Sequence, residues 1–265
     1  MNTFSSFLKR TLKQGIGPFF KKLIQSKFGL STALRNIQKY FKRKELINNI
    51  RKGNGGAGID FRTDIGGRDN LAILLSAPAK LIDEEVKALQ TYAAKSKGDL
   101  VEIGCAYGAS TLALLISKKL ESKLTSIDPF IKDSMGEFQA DEEECRQKVS
   151  KALRDIGLGD TINSWELVPD YSFNHVKEFT SPIGFIFIDG DHTYEAVKQD
   201  FEEWFPLVEK SGYIAFHDSA RPIDATHDKW ENGWPGPSRL VREIRERGDL
   251  ELVEQVKSLS VFQKK

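Results

Sequence analysis

The stretch "FIFIDGDHTYEAV", residues 185–197, constrains the fold more than any other part of the chain. Phe185, Ile186, Phe187 and Ile188 follow one another without polar alternation, so a strand here must have both faces covered. That is the condition of a parallel sheet held between two helical layers, and it excludes a sheet with one face in water. Open sheets of this kind bind ligands beyond the carboxyl ends of their strands. Asp189, Gly190, Asp191 and His192 stand at that position, although capping the next helix is a duty one of them could also perform.

From about residue 80 the elements alternate. A helix at 82–96 leads to a strand "DLVEIG", a helix from Ala109 and a strand "KLTSID". A helix at 141–157, a strand near 162–168 and the opening strand come next, then a helix at 195–209 and a strand "GYIAFHD". This order predicts an α/β fold with a doubly wound, mostly parallel sheet. A helix at 238–247 precedes two short runs, "LELVEQV" and "LSVFQ", which are too close for a crossover helix and so must be antiparallel. They complete a seven-stranded sheet.

Charge divides the chain. Residues 1–52 hold 13 Lys or Arg against the single acid Glu45, a net +12, whereas residues 53–265 carry −11. Phe4, Phe7, Leu8, Leu12, Ile16, Phe19, Phe20, Leu23 and Ile24 recur at helical intervals among the lysines, which predicts a basic amphipathic helical arm over 1–52. Its apolar stripe has two readings: packing on the body or on a second copy of the chain, or contact of residues 1–30 with an anionic membrane surface. Nucleic acid is not expected, because stacking platforms and a known motif are missing. Six glycines in 51–70 make 53–79 a glycine-rich connection and 80–265 the folded domain. No stretch has the roughly 20 apolar residues that span a bilayer, and the two cysteines, Cys105 and Cys145, form no disulfide framework. A cytoplasmic protein is expected, soluble or peripheral to a membrane.

"LVEIGCAYGAS", 100–110, is a strand, a tight loop and a helix start, an arrangement that lets backbone N–H groups approach a ligand. Gly104 and Gly108 are present, but Ala106 and Ala109 replace the other glycines of the dinucleotide fingerprint, which therefore fails. Twenty residues after Gly108, "SIDPF" places Asp128 where an acid can accept ribose hydroxyls. Taken singly, these glycines and this acid are also what ordinary turns contain. In this order and spacing they resemble the class I methyltransferases that use S-adenosylmethionine, a Rossmann-like family whose sheet also ends in an antiparallel hairpin. The resemblance implies that Glu102, Gly104 and Gly108 line the methionine end of the cofactor and that Asp128 holds the ribose. The adenine would lie near Pro129, Phe130 and "VPDYS" (168–172).

"HTYEAVKQDFEEWFPLVEKSGYIAFHDS" resembles the branch of that superfamily containing O-methyltransferases of macrolide sugars and proteins of glycan biosynthesis. Metal-dependent members carry an aspartate at the end of strand four and a catalytic base three residues later, which here are Asp189 and His192. A hydroxyl is a poor nucleophile at neutral pH, and a metal with a nearby base remedies that. Asp189 and Asp218 at adjacent strand ends are the expected ligands of Mg²⁺ or Mn²⁺. The chain departs from the family in placing His217, Asp218 and Ser219 after strand five, which makes His217 or Ser219 the expected third ligand. Asp191 is expected behind the ligands or as a cap.

The expected activity is O-methylation of a sugar, glycan or related small molecule. The alternatives are metal-independent methylation with His192 as base, or a non-catalytic protein that keeps the fold and docks through its arm. Two further features face the acceptor. The polar loop 219–237 carries Arg221, His227, Asp228, Trp230 and Trp234, and is long enough to be functional. Its tryptophans either stack on a sugar or anchor the loop. The segment 131–148 is expected to cover the cofactor as a lid.

Overall fold

The structure is a computed structural model and describes residues 74–75, 80–131, 140–223 and 233–265. The arm at 1–52, Trp230, His227 and Asp228, and residues 132–139 of the expected lid lie outside the described residues. Leu75, placed by sequence in the connection, is buried in the core, so the packed body reaches back at least that far.

In chain order the elements are α1 (Asp83–Lys95), β1 (Asp99–Ile103), α2 (Ala109–Ser117), β2 (Leu124–Ile127), α3 (Glu142–Asp155), β3 (Trp165–Val168) and α4 (Ser172–His175). There follow β4 (Ile183–Ile188), α5 (Tyr194–Trp204), β5 (Val208–Phe216), α6 (Pro235–Arg245), β6 (Leu250–Val256) and β7 (Leu259–Lys264). The strands form one seven-stranded sheet in the order β3-β2-β1-β4-β5-β7-β6. Strands β3 to β5 pair in parallel, and β7 runs antiparallel to both β5 and β6. This is the expected doubly wound, Rossmann-like methyltransferase architecture.

The opening strand behaves as its composition demands. All six residues of β4 are buried. Phe185 and Phe187 enter the core beneath α1, α2 and α3, while Ile186 and Ile188 enter the core beneath α5 and α6. Removing one such aromatic side chain typically costs about 3–5 kcal/mol.

Helix boundaries differ from the sequence reading where proline intervenes. The helix expected to run to 209 ends at Trp204, because Pro206 cannot continue the hydrogen-bond ladder; a 3₁₀ turn at Phe205–Leu207 passes the chain into β5 at Val208. The helix expected from 238 starts earlier, at Pro235, whose fixed φ suits the first helical position. The acids of "DEEEC" form the cap and first turn of α3, where Asp141 Oδ1 accepts the Glu144 N–H at 3.0 Å.

Candidate active site

The sheet register sets the site. Ile103 pairs with Ile188, and Ile188 with Phe216, so the next residue of each strand falls on one line at the carboxyl edge. The ladder runs one step further along that line. Asp128 N–H donates to Val168 O, Gly104 N–H to Ile127 O, Asp189 N–H to Ile103 O and His217 N–H to Ile188 O, at 2.8–3.1 Å. Asp128, Gly104, Asp189 and His217 are thus set side by side by the backbone alone.

On the β1–β2 side the glycine loop is tied down by Asp128. Its Oδ2 accepts the N–H groups of Cys105 (2.9 Å) and Ala106 (2.8 Å), and its Oδ1 accepts that of Phe130 (2.8 Å). A carboxylate offers about four acceptor positions, so at most about one remains for a ribose hydroxyl. Gly104 has φ +83°, and a Cβ there would lie 2.1 Å from the Asp189 carbonyl oxygen, so only glycine lets this loop meet the end of β4. Gly108 has φ +86° and caps α2, and a Cβ there would clash with Val149 of α3. Pro129 is half-buried after Asp128, and Phe130, at φ +50°, packs on the core.

Glu102 lies inside the layer, fully buried. Its Oε2 accepts the hydroxyls of Thr111 and Ser126, each at 2.6 Å, while Oε1 has no aligned partner. Burial pushes this carboxyl up to about 7; the hydroxyls of Ser110, Ser126 and Thr111 oppose the rise and the charge of Asp189 adds to it.

On the β4–β5 side the structure draws together Asp189, His192 and Asp218, each offering one ligand atom within 4.8 Å of the others. Their side chains keep 22%, 28% and 21% exposure, whereas that of His217 keeps 6%, so the first three face outward and His217 does not. His192 Nε2 lies 3.2 Å from Asp218 Oδ2 and 3.6 Å from Asp189 Oδ1, yet neither approach has hydrogen-bond geometry, and the buried nitrogen is left without an aligned partner. Burial works against a charged ring here, but the two carboxylates outweigh it and raise His192 to about 9.

His217 has partners other than those expected from sequence. Its Nδ1 faces Asp189 Oδ1 at 3.1 Å and its Nε2 faces Glu85 Oε2 of α1 at 3.3 Å. Both ring nitrogens are therefore occupied by carboxylates, and the outward group of three takes its imidazole from His192 instead. Burial opposes charge on His217, but Asp189 and Glu85 hold it protonated well above the usual histidine range. Burial likewise favours a neutral Asp189, and His217 and His192 hold it well below the usual carboxylate range.

Asp218 has φ +50°, a left-handed backbone that aspartate tolerates better than most residues. The far end of the acceptor-side loop holds it there. Gly233 packs against its backbone, Trp234 N–H donates to its carbonyl at 2.7 Å, and the Trp234 ring lies 5.2 Å from that of His192. The Arg221 N–H donates to Ser238 Oγ of α6 at 2.9 Å. Ser219 Oγ turns inward to Ser258 O and Ser260 Oγ, away from the three outward groups. Asp191 accepts the Thr193 N–H at 2.7 Å, and Thr193 is the cap of α5.

Residues 101–219 match the model of a methyltransferase domain. That span begins in β1 and ends just past β5, so it contains every residue expected to bind the cofactor or a metal, but not the acceptor-side residues after 219. Among curated proteins the chain is 31% identical over 129 residues to protein R132 of Acanthamoeba polyphaga mimivirus, a match covering 46% of this chain and about half (52%) of that relative. Among solved structures it is similar to a protein of Corynebacterium glutamicum (16% identity, 88% and 97% of the two chains, TM-score 0.55). It is also similar to the O-methyltransferase TomG of tomaymycin synthesis from Streptomyces achromogenes, solved with S-adenosylmethionine (14%, 73% and 86%, TM-score 0.53). A third is CalS11, a TDP-rhamnose 3′-O-methyltransferase of calicheamicin biosynthesis (14%, 86% and 93%, TM-score 0.51). At these identities the likeness is one of fold. Among the described residues no helix is long and apolar enough to cross a membrane.

Proposed function

We propose that the chain moves the methyl group of S-adenosylmethionine to a hydroxyl of a sugar, glycan or related small molecule, with a divalent cation held by Asp189, His192 and Asp218. One observation carries this reading: the cofactor-type glycine loop and the Asp189–His192–Asp218 group lie on one sheet edge, joined where Gly104 touches the Asp189 carbonyl. The cofactor fits the residues present. The unpartnered Oε1 of Glu102 offers an acceptor to an ammonium group, Gly104 and Gly108 leave both ends of the loop without a side chain, and Asp128, Pro129 and Phe130 follow the neighbouring strand on the side expected for the ribose and adenine. A cation fits too, since two carboxylates and an imidazole with an unaligned nitrogen form a mixed O/N donor set suited to Mn²⁺ or Mg²⁺. The sugar class rests on the resemblance of residues 192–219 to sugar-modifying relatives, and CalS11 shows that a sugar methyltransferase uses this fold.

A bound cation supplies Lewis acidity that lowers the pKa of the acceptor hydroxyl. The protein's own groups do the rest. Asp189 and Asp218 keep His192 protonated while their charge is unopposed; once that charge is neutralised the ring returns toward the ordinary histidine value of about 6.5. With Nε2 given to a cation the ring would not also be the base, and the hydroxyl proton would pass to solvent; in the metal-independent version a neutral His192 takes that proton at Nε2 as the acceptor oxygen displaces the sulfonium in line. The products are the methyl ether and S-adenosylhomocysteine, with the proton in solvent or, in the metal-independent version, on His192. Trp234 beside His192 offers a flat apolar face to the acceptor.

A metal-independent version has one observation in its favour: buried, protonated His217 already sets a cation against Asp189. Transfer of labelled methyl from S-adenosylmethionine to a panel of nucleotide sugars, with EDTA and then with added Mn²⁺ or Mg²⁺, separates the two. Loss of transfer on chelation and recovery with metal are expected, and full activity in EDTA would leave the metal-independent reading.

A further inference from the structure

Glu85 lies outside the residues matched by the methyltransferase model and 132 residues from His217. It is nonetheless buried at 2% exposure. Its Oε1 accepts the Ser258 N–H (2.9 Å) and the Ser258 hydroxyl (2.6 Å), and its Oε2 accepts the Ile82 N–H (3.0 Å) and faces His217 Nε2 (3.3 Å). The carboxylate is therefore fastened on one side to the start of α1 and the β6–β7 turn, and on the other to a ring that reaches Asp189. The His217 ring thus stands between two carboxylates, with Asp189 at Nδ1 and Glu85 at Nε2.

We propose that Glu85 is a positioning residue of the site: through His217 it clamps the Asp189 carboxylate in the orientation that makes it a ligand beside His192 and Asp218. This rests on the reading of those three residues as cation donors. Partners that orient ligands from behind typically matter by about 10–100-fold in metal affinity. The clamp also links the C-terminal hairpin and α1, which carry none of the three outward groups, to the chemistry at β4 and β5.

The test uses the full chain, with Glu85→Gln, Glu85→Asp and Ser258→Ala beside the wild type, and Mn²⁺ alone as the probe. Calorimetric titration should show Mn²⁺ binding about 10–100-fold weaker in Glu85→Gln. Recovery should be partial in Glu85→Asp, with S-adenosylmethionine affinity kept within about threefold in both. A second readout does not depend on metal. In ¹H–¹⁵N spectra of the metal-free protein, the His217 ring N–H that faces Glu85, assigned with His217→Gln, should exchange slowly, and that protection should be lost in Glu85→Gln. If Glu85→Gln does not fold, Ser258→Ala, which removes one anchor of Glu85, should show the same loss in smaller degree. A wild type that binds no Mn²⁺ but shows the protected N–H would sink the metal reading and keep the clamp. Unchanged Mn²⁺ affinity in folded Glu85→Gln, or absence of the protected N–H in the wild type, would overturn the clamp.

Discussion

The two halves of the sheet edge are built from different materials. At β1 and β2 the site is backbone: Gly104 and Gly108 in left-handed conformations, and an aspartate that spends three hydrogen bonds on loop N–H groups. At β4 and β5 it is side chains: two histidines among three carboxylates, with only His192, Asp189 and Asp218 turned outward. The first half suits a ligand recognised by shape and by backbone donors. The second suits one recognised by charge. Gly104 is the hinge between them, because its missing side chain is what lets the loop rest on Asp189.

The largest way to break the comparison is therefore at Gly104. Gly104→Ala forces a left-handed alanine and a clash with backbone, together about 2–5 kcal/mol, and should weaken cofactor and Mn²⁺ binding together. Urea unfolding with both titrations checks this; a wild-type midpoint would show that the halves are not joined there. Next comes Glu102, buried on the backbone side. Its pKa near 7 means that the folded chain keeps a proton which the unfolded chain, at 4.5, has released. Its contribution is fully present below about pH 4.5 and fades as pH rises to about 7, a loss of about 3 kcal/mol. Glu102→Gln should flatten that slope in pH-dependent unfolding, and parallel curves would refute the assignment.

On the side-chain half the effects are smaller but more specific. Asp218→Asn should weaken Mn²⁺ binding by at least about 100-fold, beyond the range for residues behind the ligands, while S-adenosylmethionine affinity stays near that of the wild type. Equal weakening of both would mean that the halves are not separable. Because His192 must give up a proton to serve as a ligand, Mn²⁺ affinity should rise up to about tenfold per pH unit between 7 and 9. A flat profile over that range, measured by calorimetry, would remove His192 from the donor set.

These materials also decide what could be read from sequence. The backbone half was legible because its parts are local: a strand, two glycines and an acid at a set distance. So was the apolar run of β4, whose lack of alternation allowed only a covered strand. Asp189, His192 and Asp218 were legible as candidates because they stand at strand ends. The partners of His217 were not, because Glu85 comes from a helix far away in the chain. One trace of it existed: Glu85, Leu89 and Tyr92 share the helical face of α1 that is buried, and an acid on such a face calls for a partner. The ends of α5 and α6 were misplaced although Pro206 and Pro235 mark both.

The central claim, that this edge holds S-adenosylmethionine, is tested most directly by calorimetric titration of the purified chain with that cofactor, with NAD as control and Mn²⁺ present or absent. One-site binding of S-adenosylmethionine, and none of NAD, is the expected result. If neither binds under either condition, the glycine loop is a turn fastened by Asp128 and the proposed methyl transfer falls.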